Sequence, residues 1–228
     1  MERKLLVGIT GESYLDFKDK KEEIEKRKIR TVALFLSRFS TDIRKEIYSS
    51  LEESSIDKIP LVHLRHDMAK EELEFLKKRY DTTLFTIHEE HFDILSRWEE
   101  HSDNLFLEMS TDDAVAENVK VERVGGFCVD LAHYQKQKDK KTVDYKYVHE
   151  RRDEKHLFRC NHVGGYCKKE LEDLHRVSSI KDFDYLKDLP DFIFGRTMAM
   201  EIDNSIEDQL KFGNLISEML PYEIKVEQ

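Results

Sequence analysis

The chain has 228 residues, of which 38% are charged and 39% hydrophobic. That balance fits one globular domain over residues 1–228, with a sizeable core under heavily charged outer helices. A formal net charge of −10 argues against a general nucleic-acid binder, which needs a basic footprint to neutralise phosphates, although a local basic strip can override the global sum.

Strand-like and helix-like blocks alternate from end to end. The first strand is Lys4–Thr10, followed by a charged helical block over 17–28. The second is Thr31–Ser37, after which Thr41 or Asp42 caps a helix through 43–54. Ile59–His63 is the third, trailed by a helix over 70–80 whose Leu73, Leu76 and Tyr80 share a face. Thr82–His88 is the fourth, with a helix over 91–100, and Asn104–Met109 is the fifth, followed only by a short helical stretch near Ala114–Asn118. Gly126–His133 gives the sixth, with a helix over 145–155. His156–His162 is the seventh, followed by a loop over 164–180 and a short helix over 182–189. Phe194–Asp203 contains the eighth, followed by an amphipathic helix over 205–220.

Eight strand-helix units predict a single (β/α)8 TIM barrel with short loops. A doubly wound open sheet shares the alternation, but no Gly-x-Gly-x-x-Gly opens the first helix, and polar residues finish most strands instead of gathering at one switch point. The densest basic stretch, Lys136–Lys141, reads as a solvated helix or loop. No run is long enough to span a bilayer, and Met1–Lys4 before a brief apolar strand is no signal peptide. Cys128, Cys160 and Cys167 form an odd set that suits a reducing compartment, so the expected location is the cytoplasm with no membrane partner.

Five apolar runs each end on a carboxylate or an imidazole: TTLFTIH, NLFLEMS, GFCVDLAH, HLFRCNH and TMAMEID. Buried parallel strands normally exclude such side chains, and several at one end of a barrel should converge on a cation. The core set is Glu108, Asp130, His162 and Glu201. Asp130 and His133 form Asp-x-x-His across a strand end, a spacing that a helix-capping pair also explains. A second tier comprises His63 and His66 after the third strand, His88 ending the fourth, Asp173-x-His175 after the seventh, and Arg176 as a group for phosphate or hydroxyl. His91 and His101 read as helix-surface residues. Nitrogen and oxygen donors without clustered thiolates lean to Zn²⁺ or Mn²⁺, with Mg²⁺, Co²⁺ and Fe²⁺ also compatible.

The ordered set of Glu, Asp-x-x-His, His, Asp-x-His and Glu in LFLE, CVDLAH, CNHVGG, DLHR and AMEIDNSIEDQ resembles the xylose isomerase-like barrel superfamily. That group includes sugar isomerases and epimerases and the endonuclease IV-type apurinic endonucleases (AP endonuclease family 2). The resemblance implies two activities. In the first, Glu108, Asp130, His162 and Glu201 hold one metal, Glu108 and Glu201 exchange protons with a small sugar or sugar phosphate, and His133 contacts a substrate oxygen. In the second, His63 or His66, His88, His133, Asp173 and His175 complete a di- or trinuclear zinc set for phosphoester hydrolysis. The short, acidic chain lacks long loops for penetrating duplex DNA, so isomerisation or epimerisation leads, and an oligomer is compatible with either.

Overall fold

The computed structural model describes residues 2–109 and 114–227. The first half carries β1 (Arg3–Leu6), β2 (Gly8–Ile9), α1 (Tyr14–Arg27), β3 (Thr31–Phe35), α2 (Thr41–Glu52), β4 (Lys58–His63), α3 (Lys70–Tyr80), β5 (Leu84–His88) and β6 (Leu105–Glu108). The second carries β7 (Gly126–Asp130), α4 (Leu131–Lys140), α5 (Val143–Glu150), β8 (Phe158–Val163), β9 (Gly165–Cys167), β10 (Glu172–Leu174), β11 (Thr197–Met200), α6 (Ile206–Met219) and β12 (Ile224–Val226).

The ten strands of the main sheet run β12-β1-β11-β8-β7-β6-β5-β4-β3-β2 and curl through about 300° without closing. The expected closed eight-stranded barrel is therefore incorrect, and the cause lies in the first strand. It is interrupted at Val7, and its two halves find different neighbours along one edge. By the period of 2, the Leu5 and Val7 carbonyls point the same way. Leu5 accepts from the Glu227 N–H at 2.9 Å, whereas Val7 accepts from the Ala33 N–H at 2.9 Å. The terminal strand β12 thus takes the part of the edge that a closed barrel would give to β3, leaving only Gly8 and Ile9 to pair with Ala33 and Leu34.

Other boundaries also shift. The predicted helix over 91–100 is a run of 3-10 turns over Glu89–Asn104, kinked at Trp98. Ala114–Asn118 forms no helix, and the predicted long strand to His133 stops at Asp130, where α4 begins at once. The loop after β8 is not structureless, because it folds into the antiparallel hairpin β9–β10.

Apolar side chains fill two layers. The larger joins the outer face of the sheet to the helices, including Phe17, Ile24, Ile47, Leu73, Leu76 and Ile216. The smaller is Leu6, Ala33, Phe35, Leu61, Leu84, Phe106, Cys128, Cys160 and Ala199, which lie inside the curl. A buried amide holds the seam at Gly8: its N–H donates to Gln209 Oε1 at 2.7 Å, while Gln209 Nε2 donates to the Gly8 and Ile202 carbonyls at 3.0 and 3.2 Å. A Cβ on Gly8 would lie 2.0 Å from the Met200 carbonyl oxygen. Gly8→Ala should accordingly lower stability by ~1–3 kcal/mol, since strand backbone must move to admit it. Urea unfolding measures this, and a midpoint equal to that of the parent chain would show that the seam yields freely.

Candidate metal centre

The inner apolar layer predicts its own continuation. Side chains two residues further along each strand point the same way, one level nearer the C-terminal rim. From Leu61, Phe106, Cys128, Cys160 and Ala199 that step reaches His63, Glu108, Asp130, His162 and Glu201. Leu84 leads to Thr86 and then His88. Adjacent parallel strands keep these levels in register: His88 is opposite Glu108, and Asp130 is opposite His162.

Two donor sets meet at Glu108. In one, Glu108, Asp130, His162 and Glu201 each offer an atom within 4.8 Å of the others, and in a second, His63, His88 and Glu108 do the same. His162 Nδ1 lies 2.9 Å from Glu108 Oε2 and 3.0 Å from Glu201 Oε2. His63 lies between the same carboxylates, with Nε2 3.6 Å from Glu108 and Nδ1 3.8 Å from Glu201. His88 Nε2 is 3.9 Å from Glu108 Oε2. Asp130 caps α4 by accepting the His133 N–H at Oδ1 (2.8 Å), so the two readings of Asp-x-x-His hold together.

The donor set fits a divalent cation on a direct observation. His63 Nδ1, His162 Nδ1, Glu108 Oε2 and Glu201 Oε2 are buried and make no well-aligned hydrogen bond, although His162 Nδ1 lies within ion-pair distance of both carboxylates. Poorly satisfied polar atoms in a protein interior are costly, and here they converge on common points. Thr86 Oγ1 lies 3.2 Å from His162 Nε2; a proton on Nε2 donated to that hydroxyl leaves the Nδ1 lone pair for an ion.

Electrostatics separates the imidazoles. Burial pushes the Glu108 carboxyl up, but His162 and His63 outweigh it and hold the group down to about 2. Burial opposes ionisation of Glu201 as well, and His162 and His63 again bring it well below the carboxylate range. Asp130 is raised, chiefly by burial, beside two other carboxylates. Burial works against His162 as a cation, yet Glu108 and Glu201 raise it well above an ordinary imidazole. Burial likewise opposes charge on His133, but Asp130 and Asp173 raise it to about 10. His88 is lowered, mainly by burial.

The second-tier residues divide. His63 and His88 join the centre. His133 stands at its edge, with Nδ1 3.8 Å from Glu108 Oε1 and Nε2 3.3 Å from Asp173 Oδ2, and His175 Nε2 lies 3.7 Å from that same Asp173 oxygen. His66 does not join: it is exposed, and its ring packs 4.8 Å from His91. Arg176 is exposed and lines an outer cavity of about 430 Å³ with Lys20 and Asp203. His101, expected on a helix surface, is buried with neither ring nitrogen hydrogen-bonded. The sequence reading missed Thr86, whose inward direction follows from strand alternation with His88, and Lys136, whose setting depends on the unforeseen hairpin.

Among the described residues no helix is long and apolar enough to cross a membrane. Comparison of the chain with protein-family models, curated proteins and solved structures finds no match in any of the three.

Proposed function

We propose that the protein is a divalent-metal-dependent hydrolase of a small phosphoester, such as a sugar phosphate, in which two ions share the Glu108 carboxylate. The observation that carries this reading is the overlap of two donor sets at that one residue. His63, His88 and Glu108 would hold one ion, and Glu108, Asp130, His162 and Glu201 the other. Imidazole mixed with carboxylate favours Zn²⁺ or Mn²⁺. When bound, such a pair neutralises phosphoryl oxygens and lowers the pKa of a water nucleophile.

The protein's part is orientation and proton supply. Thr86 fixes the His162 ring, and the α4 cap fixes Asp130. His133 Nδ1, buried and without a hydrogen-bond partner, is available to donate to the departing ester oxygen as water oxygen bonds to phosphorus and the ester P–O bond breaks. A net charge of −10 favours a small substrate over duplex DNA.

A second reading draws on a different feature. Glu108 and Glu201 both approach His162 Nδ1, at 2.9 and 3.0 Å, and two carboxylates around one ion suit proton exchange in a sugar isomerase or epimerase. Metal analysis separates the two readings. The hydrolase should carry two ions per chain and cleave a generic phosphomonoester or phosphodiester. One ion per chain, with solvent deuterium entering a sugar, would overturn it in favour of the isomerase. Cleavage of an abasic-site duplex would instead move the substrate to nucleic acid.

A further inference from the structure

Hairpin β9–β10 carries Asp173 against α4. On α4, His133 and Lys136 are three residues apart and share a face. Both reach Asp173. Lys136 Nζ donates to Oδ1 at 2.8 Å, and His133 Nε2 lies 3.3 Å from Oδ2. His175 Nε2 lies 3.7 Å from Oδ2 as well. Two imidazoles and a carboxylate have the chemistry of a transition-metal site, and His133 links them to Glu108.

The ammonium changes what this corner can hold. A lysine and a divalent ion compete for Asp173 and repel each other at such separations. The Lys136 and Asp173 side chains are only 17% and 20% exposed, so water screens that repulsion incompletely. Among the described residues, the sets whose donor atoms converge include both groups at Glu108 but not His133, Asp173 and His175 together. Lys136 begins the basic stretch expected to be solvated, and it is turned inward while Lys140 and Lys141 remain exposed.

We propose that Lys136 is a built-in cation that takes the place of a further metal ion at Asp173, supplying fixed positive charge beside the metal centre. The proposal deepens the two-ion reading and rests on it for the total count, but the exclusion of an ion by Lys136 is read independently as a difference between variants. Only one of its three donors is needed by Asp173, which leaves others for an anionic substrate oxygen.

The test is the zinc content per chain after saturation with Zn²⁺ and removal of free metal. Lys136→Met should hold one more ion than the parent chain, and Lys136→Arg, which keeps the charge, should hold the same number. An unchanged count in Lys136→Met, or a gain in Lys136→Arg, overturns the proposal. Should Lys136→Met fail to fold, Lys136→Gln reads the same difference: one ion more than the parent chain supports the proposal, and an unchanged count, or zinc beyond two ions in the parent chain, overturns it. A parent chain that holds one ion or none defeats the two-ion reading instead, while a gain in Lys136→Met would still support the role given to Lys136.

Discussion

Glu108→Gln should break both donor sets at once, taking bound metal from two ions per chain to one at most and kcat/KM down on the order of 10³-fold, or ~4 kcal/mol. Glutamine keeps the side-chain shape but replaces one carboxylate oxygen with an amide donor and removes the negative charge. Glu108 Oε2 is the atom that His63, His88 and His162 all approach, at 3.6, 3.9 and 2.9 Å, and without it only His63, His162 and Glu201 still converge. Changes to one set should act differently. His88→Ala and Glu201→Gln should each cost one ion, because each residue belongs to one of the two sets that meet at Glu108. The metal-free protein supplies a check on folding. With its folded pKa depressed to about 2, Glu108 adds stability fully present above about 4.5 and lost as the pH falls through about 2. The variant should therefore lose part of the acid limb of the stability profile. Retention of both ions by Glu108→Gln would refute a shared carboxylate.

Most residues of this cluster are legible in the sequence, and the reason is periodicity. LFLE, GFCVD and FRCNH each place a small or apolar side chain two positions before an ionisable one, and a strand turns that spacing into one direction. The same rule decides His63 over His66: His63 is two residues beyond Leu61 on β4, whereas His66 lies past the strand end and is exposed. Closure of the sheet was not legible, because it depends on which strand occupies the edge of β1. β12 is three residues long and has no distinctive pattern, yet it takes the hydrogen bonds at Leu5. The sequence offers Asp173 and His175 as further metal or substrate ligands, but the lysine partner of Asp173 comes from α4, 37 residues earlier, through a hairpin that ordinary loop chemistry disguises.

Lys20→Met should stabilise the protein by up to ~3 kcal/mol at neutral pH, with the gain fading in alkali. Lys20 is buried in α1, and its ammonium bonds to the Thr10 hydroxyl at 2.5 Å and the Ile202 carbonyl at 3.1 Å rather than to a carboxylate. Burial is the main cause that lowers this amine to about 8, against the more distant pull of Asp203, Asp16 and Glu23. The sign follows from proton counting. Below pH 8 both folded and unfolded chains carry the charge, and the folded chain bears the whole desolvation cost. Between about 8 and 10.5 the unfolded chain binds more protons, so raising the pH relieves that cost. Above about 10.5 both forms are neutral and the parent chain should match the variant at this position. Methionine fills the space without charge; the Ile202 carbonyl keeps donors from Thr10 at 2.9 Å and Gln209 at 3.2 Å, and the Thr10 hydroxyl loses a donor but still donates to Ile202. A stability difference that stays flat from pH 7 to 11 would contradict the buried-charge account. Ile202 directly follows Glu201, and Lys20 with Thr10 restrains that carbonyl. The stabilised variant should consequently bind metal ~10–100-fold more weakly, the effect expected when a support for a ligand is lost. Opposite signs for stability and affinity would distinguish a lysine retained to hold Glu201 from one that merely fills a gap.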